Sequence, residues 1–139
     1  MNVERLREVQ ARIATEPKRF RMDAWADKSP CGTTCCIGGW AATAAGYVDE
    51  FGVLTPTAQE IGNGMVARWD ESWSTPIEAV SAVSLDLTFY EAERLFFTEC
   101  WPDRFAAPYE DALADGKFET AAEIASRRID HFIATNGTD

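Results

Sequence analysis

The segment TCCIGGWAATAAG, residues 34–46, carries almost no side-chain bulk apart from Ile37 and Trp40. Cys36, Trp40 and Ala44 fall on one helical stripe, with Ile37 and Ala41 beside it, so the spacing predicts a helix. Gly38 and Gly39 inside a helix each cost about 1 kcal/mol relative to Ala. That penalty makes sense only where another backbone must approach closely, so this reads as the central, crowded helix of the fold. Thr33 or Thr34 is placed to cap its start, Gly32 to permit a tight turn before it, and Gly46 to end it.

Around this element the chain is punctuated for helices. Val3, Leu6, Val9 and Ile13 recur at helical spacing until Pro17. Thr55-Pro56 and Thr75-Pro76 each place a capping residue before a proline suited to the first helical position, and Glu78 adds a capping box to the second. Thr88 with Glu91 opens a further helix over TFYEAERLFF, expected to end near Cys100 because Trp101 precedes a proline. Asp103 is placed to cap a helix through Leu113, and the longest apolar stripe runs through Phe118, Ala122, Ala125, Ile129, Phe132 and Ile133 to a stop at Gly137.

Between these helices, KRFRMDAWADKSP has Phe20, Met22 and Trp25 on no single period and reads as an irregular strap with aromatic anchors. Residues 62–73 read as a helix or a long loop. Period-two alternation is absent apart from a candidate small ribbon near 47–54. The expectation is an all-α fold, a compact single domain over residues 1–139 with five to seven short helices.

An apolar fraction of 46% excludes a disordered chain, and no run is long enough to cross a bilayer. The charged N-terminal segment lacks the apolar centre of a secretory signal, which points to the cytoplasm and to reduced thiols. The net charge of −10 is uneven: residues 1–30 hold seven Lys or Arg against five acids, and the rest six against eighteen. Such a body repels phosphate, so direct nucleic-acid binding is not expected outside Lys18, Arg19 and Arg21.

The sequence contains no phosphate loop, dinucleotide fingerprint, nucleophile elbow or H-E-x-x-H. Cys31, Cys35 and Cys36 lie near a helix start, where a thiol becomes a better nucleophile, yet His131 is the only histidine to serve as its base. The same thiols with Cys100 or His131 have the count for zinc but not the paired-knuckle spacing. A disulfide among them is a third option. We therefore assign no catalytic residue, metal ligand or cofactor, and read Cys31, Gly32, Thr33, Cys36, Gly39 and Trp40 as a structural motif. Trp69, Trp73 and Trp101, in irregular segments, are the candidate partner surface.

The combination of F-x-M-x-x-W at Phe20 to Trp25, C-G-T-x-x-C-I-x-G-W-A at Cys31 to Ala41, L-T-x-x-E-A-x-x-L-F at Leu87 to Phe96, W-P at 101–102 and R-I-x-x-F-I at Arg128 to Ile133 resembles a family of small uncharacterised α-helical proteins of tailed phages and bacterial genomes. The resemblance implies an accessory role in the bacterial host cytoplasm. Joined to the acidic composition and aromatic surplus, it suggests a non-enzymatic protein that binds a host or phage protein. The alternatives are a small thiol enzyme or redox protein using Cys31 or Cys36, and a zinc-stabilised module.

Overall fold

A computed structural model of the chain describes residues 1–25, 27–29, 32–67, 73 and 75–139. Among the described residues it is all-α, with seven helices: α1 (Val3–Thr15), α2 (Ile37–Ala44), α3 (Pro56–Val66), α4 (Pro76–Ser84), α5 (Phe89–Phe96), α6 (Asp103–Ala114) and α7 (Phe118–Ala134). Short 3-10 turns at Pro17–Arg19 and Thr98–Cys100 follow α1 and α5. None of the helices is long and apolar enough to cross a membrane.

The helix starts follow their capping chemistry. Asn2, Thr55, Thr75 and Thr88 each accept a hydrogen bond from a backbone N–H of the first turn, and Thr88 with Glu91 forms the complete reciprocal box. Two expected boundaries move. The helix from Thr88 ends at Phe96, four residues before Cys100, which belongs to the separate 3-10 turn. Asp103 is the first residue of α6 and Pro102 occupies the cap. At the end of α7, Asn136 and Gly137 adopt positive φ of 53° and 73°, and Gly137 N–H bonds to the Phe132 carbonyl at 2.9 Å, the left-handed stop that glycine favours.

The largest departure concerns the central helix. Residues 32–34 do not begin it: Gly32–Thr34 form a strand, β2, antiparallel to β1 at Asp27–Ser29, with Asp27 opposite Thr34 and Ser29 opposite Gly32. Gly32 and Thr33 are thus ribbon residues, and the cap belongs to Cys36, whose Sγ accepts from Gly39 N–H at 3.4 Å. Cys31 and Trp69 lie outside the described residues. The ribbon expected at 47–54 reduces to a single bridge between Val48 and Leu54.

One buried cluster joins α1, α2, α4, α5, α6 and α7, with Leu6, Ile13, Ile37, Leu85, Leu95, Ile129 and Phe132 fully covered. Helix α2 packs on α1 and α4, α3 on α4, and α7 on α1 and α6. Residues Ile37 to Ala42 are all buried, as the small-residue run requires. The strap of residues 18–25 lies directly on this helix. Cys36 N–H donates to the Ala24 carbonyl at 2.5 Å, Arg21 N–H to the Cys35 carbonyl at 3.2 Å, and Cys35 N–H to the Arg19 carbonyl at 3.0 Å.

That contact accounts for the glycine pair. A Cβ on Gly39 would stand 1.6 Å from the Trp25 carbonyl oxygen, and one on Gly38 2.6 Å from the edge of the Trp25 ring. Only a helix surface without Cβ atoms lets the strap backbone close at this distance. The expected close backbone neighbour is the strap itself.

Candidate functional site

Two of the thiols, those of Cys35 and Cys36, occupy packing positions. Cys35 and Cys36 are buried, and burial pushes the Cys36 thiol up to about 11, outweighing the backbone N–H groups of Gly39 and Gly38 that favour the thiolate. A thiol in that state is neither a nucleophile nor a ready ligand at neutral pH. Cys100 is exposed, and its pKa is also raised, first by partial burial and then by the carboxylates of Glu93 and Glu99. Among the described residues, no group of three or more His, Cys, Asp or Glu side chains is arranged to hold a metal ion.

The expected tryptophan surface is not where the sequence put it. Trp101 is 4% exposed, stacks edge-on against Tyr109 at 5.4 Å, and donates its indole N–H to the Leu95 carbonyl at 3.0 Å. Trp73 is 5% exposed and stacks on Phe89. Both belong to the buried core cluster, so neither offers area to a partner. The basic patch is likewise neutralised in part: Arg19 pairs with Glu16 at 2.7 Å and Arg21 with Asp23 at 2.8 Å.

Trp40 is buried under guanidinium groups, with Arg12 and Arg19 at 4.9 and 5.3 Å from its ring centre. A groove of about 480 Å³ between α1 and α2 runs beside it, where Arg12 pairs with Glu16, as does the neighbouring Arg19, and Glu8 is the remaining lining charge. A roomier groove of about 730 Å³ between α1 and α7 is lined by Ala14, Pro17, Ala122 and Ser126 and contains no aromatic side chain.

The groove with recognition chemistry is a third, of about 370 Å³, where the strap meets the end of α5 and the middle of α6. Met22 and Trp25 come from the strap, Phe96 and Phe97 from the end of α5, and Tyr109 and Leu113 from α6. Phe96 and Tyr109 are buried and form its base, whereas Met22, Trp25, Phe97 and Leu113 are partly exposed. Trp25 stacks edge-on against Phe96 at 5.5 Å and Phe97 at 6.1 Å, and Tyr109 Oη accepts from Met22 N–H at 3.0 Å. These contacts, with the glycine pair beneath Trp25, hold the aromatic groups in place.

The rim of the groove is acidic. Asp23, Glu99 and Glu110 line it and are exposed. Asp23 is paired with Arg21, but Glu99 and Glu110 carry no ion pair among the described residues. Burial first, then the Asp23 charge against a Met22 N–H that works the other way, raises Tyr109 to about 12, so its hydroxyl stays protonated. The carboxylates of Glu99 and Glu110 at this rim favour a cation.

Sequence reasoning picked out Phe20, Met22 and Trp25 as anchors that fit no period. It did not connect them with Phe97, Tyr109 and Leu113, because those residues lie more than seventy positions along the chain and meet the strap only through tertiary packing. No family model, curated protein or solved structure matches this chain.

Proposed function

We propose that the protein is a non-enzymatic binding module, and that the groove formed by Met22, Trp25, Phe97 and Leu113 is its docking surface. Its occupant is a protein segment with one large apolar side chain flanked by Lys or Arg. The observation that carries this reading is the join of partly exposed, stacked aromatic groups to the unpaired carboxylates of Glu99 and Glu110. Aromatic anchors supply contact area with little rotamer entropy to lose, and rim charges select partner and orientation. A host or phage protein as the source of that segment follows from the resemblance to phage and bacterial proteins, and from that alone.

The test is a selection from a random-peptide library on the folded protein, repeated on a Glu99→Lys/Glu110→Lys variant. Enriched peptides should combine Leu, Phe, Trp or Met with neighbouring Lys or Arg, and should lose on the order of tenfold in affinity on the variant. Enrichment of acidic or uncharged sequences, or equal affinity for both proteins, would remove the groove as the docking surface.

A further inference from the structure

A cationic cluster forms where the segment after α7 folds back over α5 and α6. Arg128 on α7 is fully buried, against the Phe132 and Phe105 rings at 5.5 and 6.0 Å. Its Nη2 donates to the Arg94 carbonyl at 2.8 Å and its Nη1 to the Asp139 carbonyl at 2.9 Å, while its Nε is buried without a hydrogen-bond partner. Arg104, at the start of α6, stacks on Phe105 at 5.0 Å and brings Nη2 within 3.5 Å of Asp139 Oδ2. His131 Nε2 lies 2.8 Å from that same carboxylate oxygen and 2.8 Å from Arg104 Nη2.

The Arg104 guanidinium and the His131 imidazole therefore share one carboxylate, and Arg128 holds the main-chain oxygen of the same residue, in a chain whose net charge is −10. The charges that act on Arg128 are Asp139, which favours its cation, and Arg104, which opposes it. The single His131 nitrogen can donate to Asp139 or accept from Arg104, but not both. Asp139 thus satisfies the cluster only in part. Its removal would uncover little, because Thr138 and Asp139 are exposed and α7 is already closed by Gly137.

We propose that Arg104 and His131, set beside the buried Arg128, form a carboxylate-binding notch, which the side chain of the protein's own Asp139 fills and which an acidic side chain of a binding partner occupies by displacing it. A guanidinium N–H and an imidazole nitrogen that meet at one carboxylate oxygen suit the lone pairs of a carboxylate, and the buried Arg128 cation beside them adds to its attraction. The site is separate from the aromatic groove, whose rim selects the opposite charge.

His131 is the only histidine, so its imidazole NMR resonances report on the notch alone. The full chain, wild type and Asp139→Ala, is titrated with succinate and, separately, with sodium chloride at matched ionic strength. The Asp139→Ala protein should show a saturable shift with succinate and none with chloride, at an affinity at least tenfold above wild type. Adding Arg104→Ala should abolish it. Asp139→Asn, which keeps the side-chain size, should respond as Asp139→Ala does, and unchanged amide spectra establish that each variant is folded. Equal responses to succinate and chloride, equal affinities for wild type and Asp139→Ala, or a response that survives Arg104→Ala would each overturn the proposal.

Discussion

Replacing Gly39 with Ala tests the packing that positions the groove. In an exposed helix the change adds about 1 kcal/mol of stability, because glycine is the poorer helix former. Here the new Cβ would sit 1.6 Å from the Trp25 carbonyl oxygen, 2.7 Å from the Trp25 carbonyl carbon and 2.9 Å from Cys35 Cβ. Two of those three atoms are backbone, so no rotamer change relieves the clash. The strap must retreat by roughly 1.5 Å before the contact becomes tolerable in a close-packed interior. That retreat stretches the bonds from Cys36, Arg21 and Cys35 that hold the strap to α2. Overpacking of this kind typically costs 1–3 kcal/mol, and each buried hydrogen bond left unmade about 1–3 kcal/mol more. Even after the propensity gain we expect Gly39→Ala to lose about 3 kcal/mol, a fall in melting temperature of about 10 °C for a chain of this size. Gly64→Ala is the control: a Cβ there meets nothing within 4 Å, so the same propensity gain appears alone and stability rises by up to about 1 kcal/mol. Thermal and urea denaturation of the two variants give the comparison. If Gly39→Ala melts at or above wild type, the strap does not lie on α2 as described and the account of the glycine pair is wrong.

Other expectations follow from the same contacts. Cys36→Ala removes the acceptor that caps α2 and should cost about 1–2 kcal/mol in urea unfolding, whereas Cys36→Ser keeps an acceptor for Gly39 N–H and should cost less; the reverse order would deny the capping role. The Cys36 thiol has a folded pKa of about 11 against 9.0 for an ordinary thiol, so below pH 9 its burial contributes in full. Between pH 9 and 11 the unfolded chain binds fewer protons, and that contribution, up to about 3 kcal/mol, is lost as pH rises through the folded value. Denaturation midpoints across pH 8–11 should fall more steeply for wild type than for Cys36→Ala. Thr88→Ala breaks the reciprocal box at α5 and should lower stability by about 1 kcal/mol, with Glu91→Gln less harmful because it preserves an acceptor.

The helices were legible because each of their determinants is local. The Thr-Pro starts, the Thr88 box and the Gly137 stop act within one turn, and the apolar stripes of α1 and α7 repeat often enough to declare their faces. The start of α2 was misplaced because Thr33 and Thr34 are good caps in isolation. Pairing with Asp27 and Lys28 holds them in a ribbon and passes the cap to Cys36, a residue with weak intrinsic preference for that position. The close neighbour demanded by Gly38 and Gly39 was legible as a need, but its identity was not, since Trp25 and Gly39 meet through tertiary packing. The tryptophans mislead for a related reason. An indole with a long apolar body and one donor suits an interface, and it equally suits a core that offers a carbonyl, as Leu95 does for Trp101. What separates the two is burial, which no local pattern encodes.

The most direct measurement is an amide chemical-shift map of the protein with the strongest peptide from the library selection. The account predicts saturable changes concentrated at Met22 to Trp25, Phe96 to Glu99 and Tyr109 to Leu113, with the indole N–H of Trp25 among the largest and that of Trp101 nearly still. Changes centred instead on α3 or on the α1–α7 groove, with these segments unmoved, would contradict it.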